Sequence, residues 1–77
     1  MKTTGTRPLS QVAKGEIVSI VEIDGGRGLR SRLTTMGLLP KTRIEVVHNG
    51  GSGPFVISIG NSRMALGRAV ADKIVVE

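Results

Sequence analysis

Glycine and proline cut this chain into short pieces, and their placement limits the fold more than any other feature. Asp24-Gly25-Gly26 closes one apolar segment, Gly37 and Pro40 close a second, and Asn49-Gly50-Gly51-Ser52-Gly53-Pro54 closes a third. Gly60-Asn61 and Gly67 punctuate the rest. Such pieces accommodate short strands and a helix of a few turns. The uninterrupted apolar runs, such as Ile74-Val75-Val76, fall far short of a membrane-spanning helix, and no leader segment is recognisable behind Met1-Lys2. The expected location is the cytoplasm.

The pieces differ in pattern. Glu16 to Ile23 is dense in Ile and Val, which favour strand. Ile17, Val21 and Ile23 fall on one face and Val18 and Ile20 on the other, so this strand is expected to be buried on both sides. Arg27 to Met36 reads as a helix, because Leu29, Leu33 and Met36 repeat at i, i+4, i+7. Gly37 supplies a left-handed residue after the last turn, and Leu38 can fold back onto Leu33 as in a Schellman cap. Pro40 prevents the helix from resuming. In the turn Leu39-Pro40-Lys41-Thr42, a lysine in third position disfavours positive φ, which predicts type I over type II.

Arg43 to His48, Phe55 to Ile59 and Ser62 to Leu66 read as further strands, the last two joined at Gly60-Asn61 by a type II′ hairpin. Pro8 to Val12 predicts a short turn, with Leu9 and Val12 at i, i+3. Gly67 to Asp72 is long enough for about one helical turn, and Ile74 to Val76 closes as a fifth strand. The expected fold is mostly β. It is a small SH3-like barrel of about five strands, with one α-helix after strand 1 and a short helical turn before the last strand. Residues 1–7 are expected to be a flexible N-terminus and residues 8–77 the domain.

Composition now decides what such a domain can do. A chain of 77 residues makes one domain with a compact core and little room for a deep substrate cavity. It has no Cys, so neither a disulfide nor a thiolate metal site is available. His48 is the sole histidine, beside a glycine-rich loop and on the opposite strand face from Glu45, and reads as a solvated strand end. The six acidic residues form no D-x-D or E-x-x-E pair, and Glu22 and Asp24 abut the Gly-Gly break. Only His48 could serve as a base for a serine or threonine nucleophile. The expectation is therefore no enzyme, no catalytic residue, no cofactor, no metal and no small-molecule substrate.

Gly25-Gly26-Arg27-Gly28 precedes the helix, where glycines with Arg27 and Arg30 could hold an anion weakly. It lacks the Gly-Lys-Ser/Thr ending of a phosphate loop, and Ser31 stands where a dinucleotide fingerprint needs glycine, so a strand-to-helix corner is the better reading. A net charge of +5 attracts nucleic acid, anionic lipid or an acidic protein face, or simply keeps a small domain in solution. Phe55 is the one aromatic residue, so there is no stacking platform for bases, and nucleic acid is the weaker reading. Leu33, Met36, Leu38 and Leu39 are more apolar residues than one helix stripe needs. Either all four are core, or part of the cluster is exposed as an apolar centre rimmed by Arg30, Arg32 and Lys41, as on a protein-docking patch.

The ordered segments Arg32-Leu33-Thr34-Thr35-Met36-Gly37-Leu38-Leu39-Pro40-Lys41-Thr42, Gly53-Pro54, Met64-Ala65-Leu66-Gly67-Arg68 and Ala71 to Val76 resemble the FeoA family, with Leu9 and Gly15 matching its usual opening. The resemblance covers about Pro8 to Val76. It implies an SH3-like fold and a small cytoplasmic accessory protein of ferrous-iron uptake, acting by direct contact with FeoB, a membrane iron transporter with a cytoplasmic GTPase domain. It also implies a relation to the C-terminal domain of iron-dependent repressors, although this chain carries no helix-turn-helix. Where the family usually has Gly after Pro, this chain has Lys41. The residues expected at the contact surface are Arg30, Arg32, Met36, Leu38 and Leu39. Two alternatives stand beside this: a basic small barrel that binds nucleic acid, and a free-standing metal-responsive domain. Open strand edges also make a homo-oligomer a candidate assembly.

Overall fold

A computed structural model describes residues 5–50 and 53–77. Its elements are β1 (Arg7–Pro8), a 3-10 turn (Leu9–Gln11), β2 (Ile17–Ile23), α1 (Arg27–Thr35), β3 (Arg43–His48), β4 (Phe55–Ile59), β5 (Ser62–Leu66), α2 (Arg68–Ala71) and β6 (Ile74–Val76). The strands pair antiparallel in the order β1-β6-β2-β3-β4-β5. β2 carries two ladders: Ile17 to Ser19 pair with β3, and Ile20 to Ile23 pair with β6. The mostly β reading holds, with five strands, the helix and the late helical turn where the sequence predicts them. β1 is additional. Two residues, one of them proline, carry no readable periodicity, and pairing of Arg7 with Val76 and Pro8 with Val75 creates the strand. Residues 1–4, part of the expected flexible N-terminus, lie outside the described residues.

β2 departs from strict alternation. Ile20 opposes Val76 and Glu22 opposes Val75, so Val21 is an extra residue against β6, a bulge. The inward set therefore switches from Val18 and Ile20 to Ile23, while Ile17 is left 57% exposed. One face is buried, not two. An unbulged strand would have turned Ile23 outward with Ile17, because side chains alternate with a period of two.

The core is aliphatic around one ring. Leu9, Val12, Ile20, Leu38, Ile44, Val46, Phe55, Ile57, Ile74 and Val76 are almost fully buried, and among the described residues no charged or polar one is buried with them. Leu9 and Val12 enter through the predicted turn, closed by the Val12 N–H on the Leu9 carbonyl at 3.0 Å. The Gly60-Asn61 hairpin forms with Gly60 at φ 58° and Ile59 opposite Ser62, as a type II′ turn requires.

Candidate functional site

The region around α1 and the turn after it is built by the helix's own ending. Gly37 takes φ 91°. The Leu38 N–H donates to the Leu33 carbonyl at 2.9 Å and the Gly37 N–H to the Thr34 carbonyl at 3.0 Å, the two bonds of a Schellman cap. Leu38 then packs under the helix, fully buried beside the nearly buried Leu33. The chain leaves the cap into Leu39-Pro40-Lys41-Thr42, where the Thr42 N–H closes on the Leu39 carbonyl at 3.1 Å.

This turn corrects the sequence reading. Lys41 has φ 75°, the one non-glycine residue with positive φ among the described residues, so the turn has the backbone of type II and not type I. Two bonds to the neighbouring strand hold it there: the Lys41 N–H donates to the Ile20 carbonyl at 2.7 Å, and the Ile20 N–H donates to the Thr42 carbonyl at 2.9 Å. Tertiary pairing outweighs the lysine's own preference.

Between α1, the end of β2 and this turn lies a shallow groove of about 230 Å³, lined by Glu22, Ile23, Arg30, Thr34, Leu38 and Pro40. Its floor is apolar, from Ile23, Leu38 and Pro40. Its rims are charged: Glu22 on the strand side and Arg30 on the helix side, both exposed. Arg30 is positioned by its Nε–H, which donates to the Ile23 carbonyl at 3.3 Å.

The five residues expected at the contact surface do not form one patch. Leu38 is core, 0% exposed, because the cap turns it inward; it contributes only the groove floor. Arg30 shares the groove face with Thr34, one turn on. Arg32 lies about 160° around the helix from Arg30 at 3.6 residues per turn, on the same side as Met36, and both are exposed. Leu39 is exposed beyond the cap. Glu22, Ile23, Thr34 and Pro40 were not singled out for contact, although the i, i+4 pairing of Arg30 with Thr34 and the position of Pro40 after the cap were the available signals.

Among the described residues no three His, Asp or Glu side chains cluster as metal ligands. His48 is exposed at the end of β3 as expected, with its ring against the Gly53 backbone. Gly25-Gly26 forms the strand-to-helix corner, where the Leu29 side chain fills the space a Cβ on Gly25 would need. Glu16 is engaged structurally. It accepts hydrogen bonds from Arg7 Nη2 at 2.7 Å and from the Ala13 N–H at 2.8 Å. The Arg7 bond first, and the Ala13 amide second, hold its carboxyl below the usual carboxylate range.

The FeoA domain family model matches residues 7–77. The chain belongs to the FeoA family. A curated Methanocaldococcus jannaschii protein, provisionally named Fe(2+) transport protein A, is 40% identical over 70 residues, covering 91% of this chain and 84% of its own length. A crystal structure described as the iron uptake regulatory protein FeoA superposes with a TM-score of 0.86 at 35% identity, over 96% of this chain and 97% of that one. FeoA of Stenotrophomonas maltophilia complexed with zinc, described as a prokaryotic SH3 domain protein, matches with a TM-score of 0.78 at 22% identity, over 96% and 91% of the two chains. The last likeness speaks for the fold alone, and it bears out the SH3-like barrel expected from the strand pattern. In this FeoA domain, the cap falls within the segment Arg32 to Thr42 that carries the family resemblance most densely, and so do Thr34, Leu38 and Pro40 of the groove.

Proposed function

We propose that this FeoA-family chain is a cytoplasmic accessory protein of ferrous-iron uptake that acts by direct contact with the FeoB membrane transporter, without catalysis of its own. The observation that carries the reading is family membership across nearly the whole chain, together with a relative provisionally named for Fe(2+) transport at 40% identity. The groove between α1 and the Pro40 turn supports it. An apolar floor with charged rims suits a protein side chain with polar flanks better than a small-molecule substrate, which calls for a more enclosed cavity.

The contact surface proposed here keeps Arg30, Arg32, Met36 and Leu39 and transfers Leu38 to the core. Calorimetric titration into FeoB of the same organism, purified in lipid nanodiscs, tests the reading at low and at physiological salt. Saturable binding that persists at physiological salt is the expected result. Absence of heat at both salt concentrations would overturn it. Met36→Asp, at a position already 39% exposed, should leave the fold intact, with a stability change within about 0.5 kcal/mol. It should weaken the FeoB titration if the Met36 side of α1 is engaged, and leave it unchanged if contact is confined to the groove.

A further inference from the structure

Lys41 occupies a backbone conformation that its side chain does not favour. At φ 75° it stands where a type II turn ordinarily takes glycine. Residues held in sparsely populated backbone regions persist only where the surroundings over-determine them, and they concentrate at functional sites. Here Pro40 fixes the preceding φ, and the bonds to Ile20 pin both sides of the turn. The backbone is thus explained, but the choice of lysine is not. Among the described residues its side chain has no hydrogen bond or ion pair, and it is exposed. No described residue engages the ammonium.

Its position gives the use. Lys41 directly follows Pro40, which lines the groove, and Arg30 stands on the helix rim. Arg27 is exposed one turn before Arg30 on the same helix face. Glu22 is the groove's one acidic lining residue, on the strand rim. Arg30 therefore lines the groove on its helix side and Lys41 adjoins its turn side through Pro40, while Glu22 on the strand side disfavours a second carboxylate. We infer that Lys41 is held in its left-handed turn to read a carboxylate, with Arg30, on an acidic segment of the partner protein whose apolar side chain seats over Ile23, Leu38 and Pro40. The fixed turn sets the direction of the Lys41 Cβ, which lowers the ordering cost of an otherwise flexible side chain on binding. The inference rests on the docking role proposed above and adds the chemistry of the segment that docks.

Four variants decide it in the nanodisc titration. Lys41→Gly keeps the turn and removes the ammonium; its melting temperature should hold or rise by up to about 5 °C, while affinity for FeoB falls roughly threefold to tenfold. Lys41→Met should lose affinity similarly, and Lys41→Arg should stay close to wild type. Arg63→Gln is the control for net charge. It lies exposed on β5, with β3 and β4 between it and β2, and should bind as wild type does. Wild-type affinity in Lys41→Gly would overturn the inference and leave the docking role standing. An equal loss in Arg63→Gln would overturn it by reducing the effect to overall charge. A Lys41→Gly loss on duplex DNA or anionic vesicles, with FeoB binding intact, would overturn it by assigning the lysine to phosphate. Failure of the wild-type protein itself to bind FeoB would overturn the docking role and this inference together, and is visible before any variant is made.

Discussion

Two residues, Leu38 and Lys41, sit three positions apart and answer opposite questions about what a turn demands. Leu38 follows the glycine of a Schellman cap, and the cap's geometry sends its side chain back to Leu33 and out of water. Lys41 follows a proline in a turn pinned to β2, and its side chain stays in solvent. A left-handed backbone costs a residue with a Cβ about 1–2 kcal/mol, so the Ile20 pairing must offset a penalty of that order. Leu38→Ala should destabilise the domain by about 2–5 kcal/mol, read as a lower urea midpoint with unchanged slope. A shift below 1 kcal/mol would mean that the cap is not packed as described.

At the scale of elements, legibility followed local rules and failed where neighbours intervened. The helix stop at Gly37 and the Gly60 hairpin were readable because each demands positive φ at one position, where glycine stands. The strand β2 was readable as a strand but not as a bulged one, since Val21 becomes an extra residue only through its register with β6. The same held for Lys41, whose φ is set by Ile20, twenty-one positions earlier in the chain. Leu38 leaves the expected contact surface for a different reason. Leu38 was assigned both to a cap contact and to an exposed surface, and burial of the cap excludes the second. Arg30 and Arg32 looked adjacent in sequence but lie on different sides of α1. Distant elements are also tied by Asn49, whose position before Gly50-Gly51 reads only as the start of a loop. Its Nδ2 donates to the carbonyls of Ser10 at 3.2 Å and Val12 at 2.7 Å, and its Oδ1 accepts from Arg68 at 2.9 Å. The Ser10 hydroxyl donates in turn to Asp72. Asn49→Ala removes bonds joining the 3-10 turn, the end of β3 and α2. It should cost about 1–3 kcal/mol by denaturant unfolding, with hydrogen exchange accelerating in the Leu9–Gln11 turn before it does in β4.

For the molecule as a whole, β1 is fastened by charge as well as by the sheet. Arg7, in β1, pairs with Glu16 at the entry to β2, the one ion pair among the described residues. The Glu16 carboxyl titrates lower in the folded protein than its ordinary value of about 4.3 in an unfolded chain. The folded state consequently binds fewer protons near that pH. The contribution is fully present above the unfolded value and is lost as pH falls through the lowered folded one. Stability should therefore decline on acidification from about pH 5 downward, and Glu16→Gln should show a smaller decline over the same range, measured as urea midpoints. Equal declines in the two proteins would mean that the fastening does not contribute.

The strand order also has a temporal side. β6, the last strand in sequence, lies between β1 and β2, the first two. During synthesis the ribosome releases β1 and β2 long before their shared neighbour exists, so that half of the sheet cannot form as the chain emerges. It must wait until Ile74–Val76 is free to insert, and the contacts it then makes join residues nearly a full chain length apart, as Arg7 does with Val76. Loops of that length close late and slowly. Until they do, the β2–β5 meander stands alone with one edge of β2 uncovered, which makes the nascent domain most vulnerable to misassociation just before its last strand arrives.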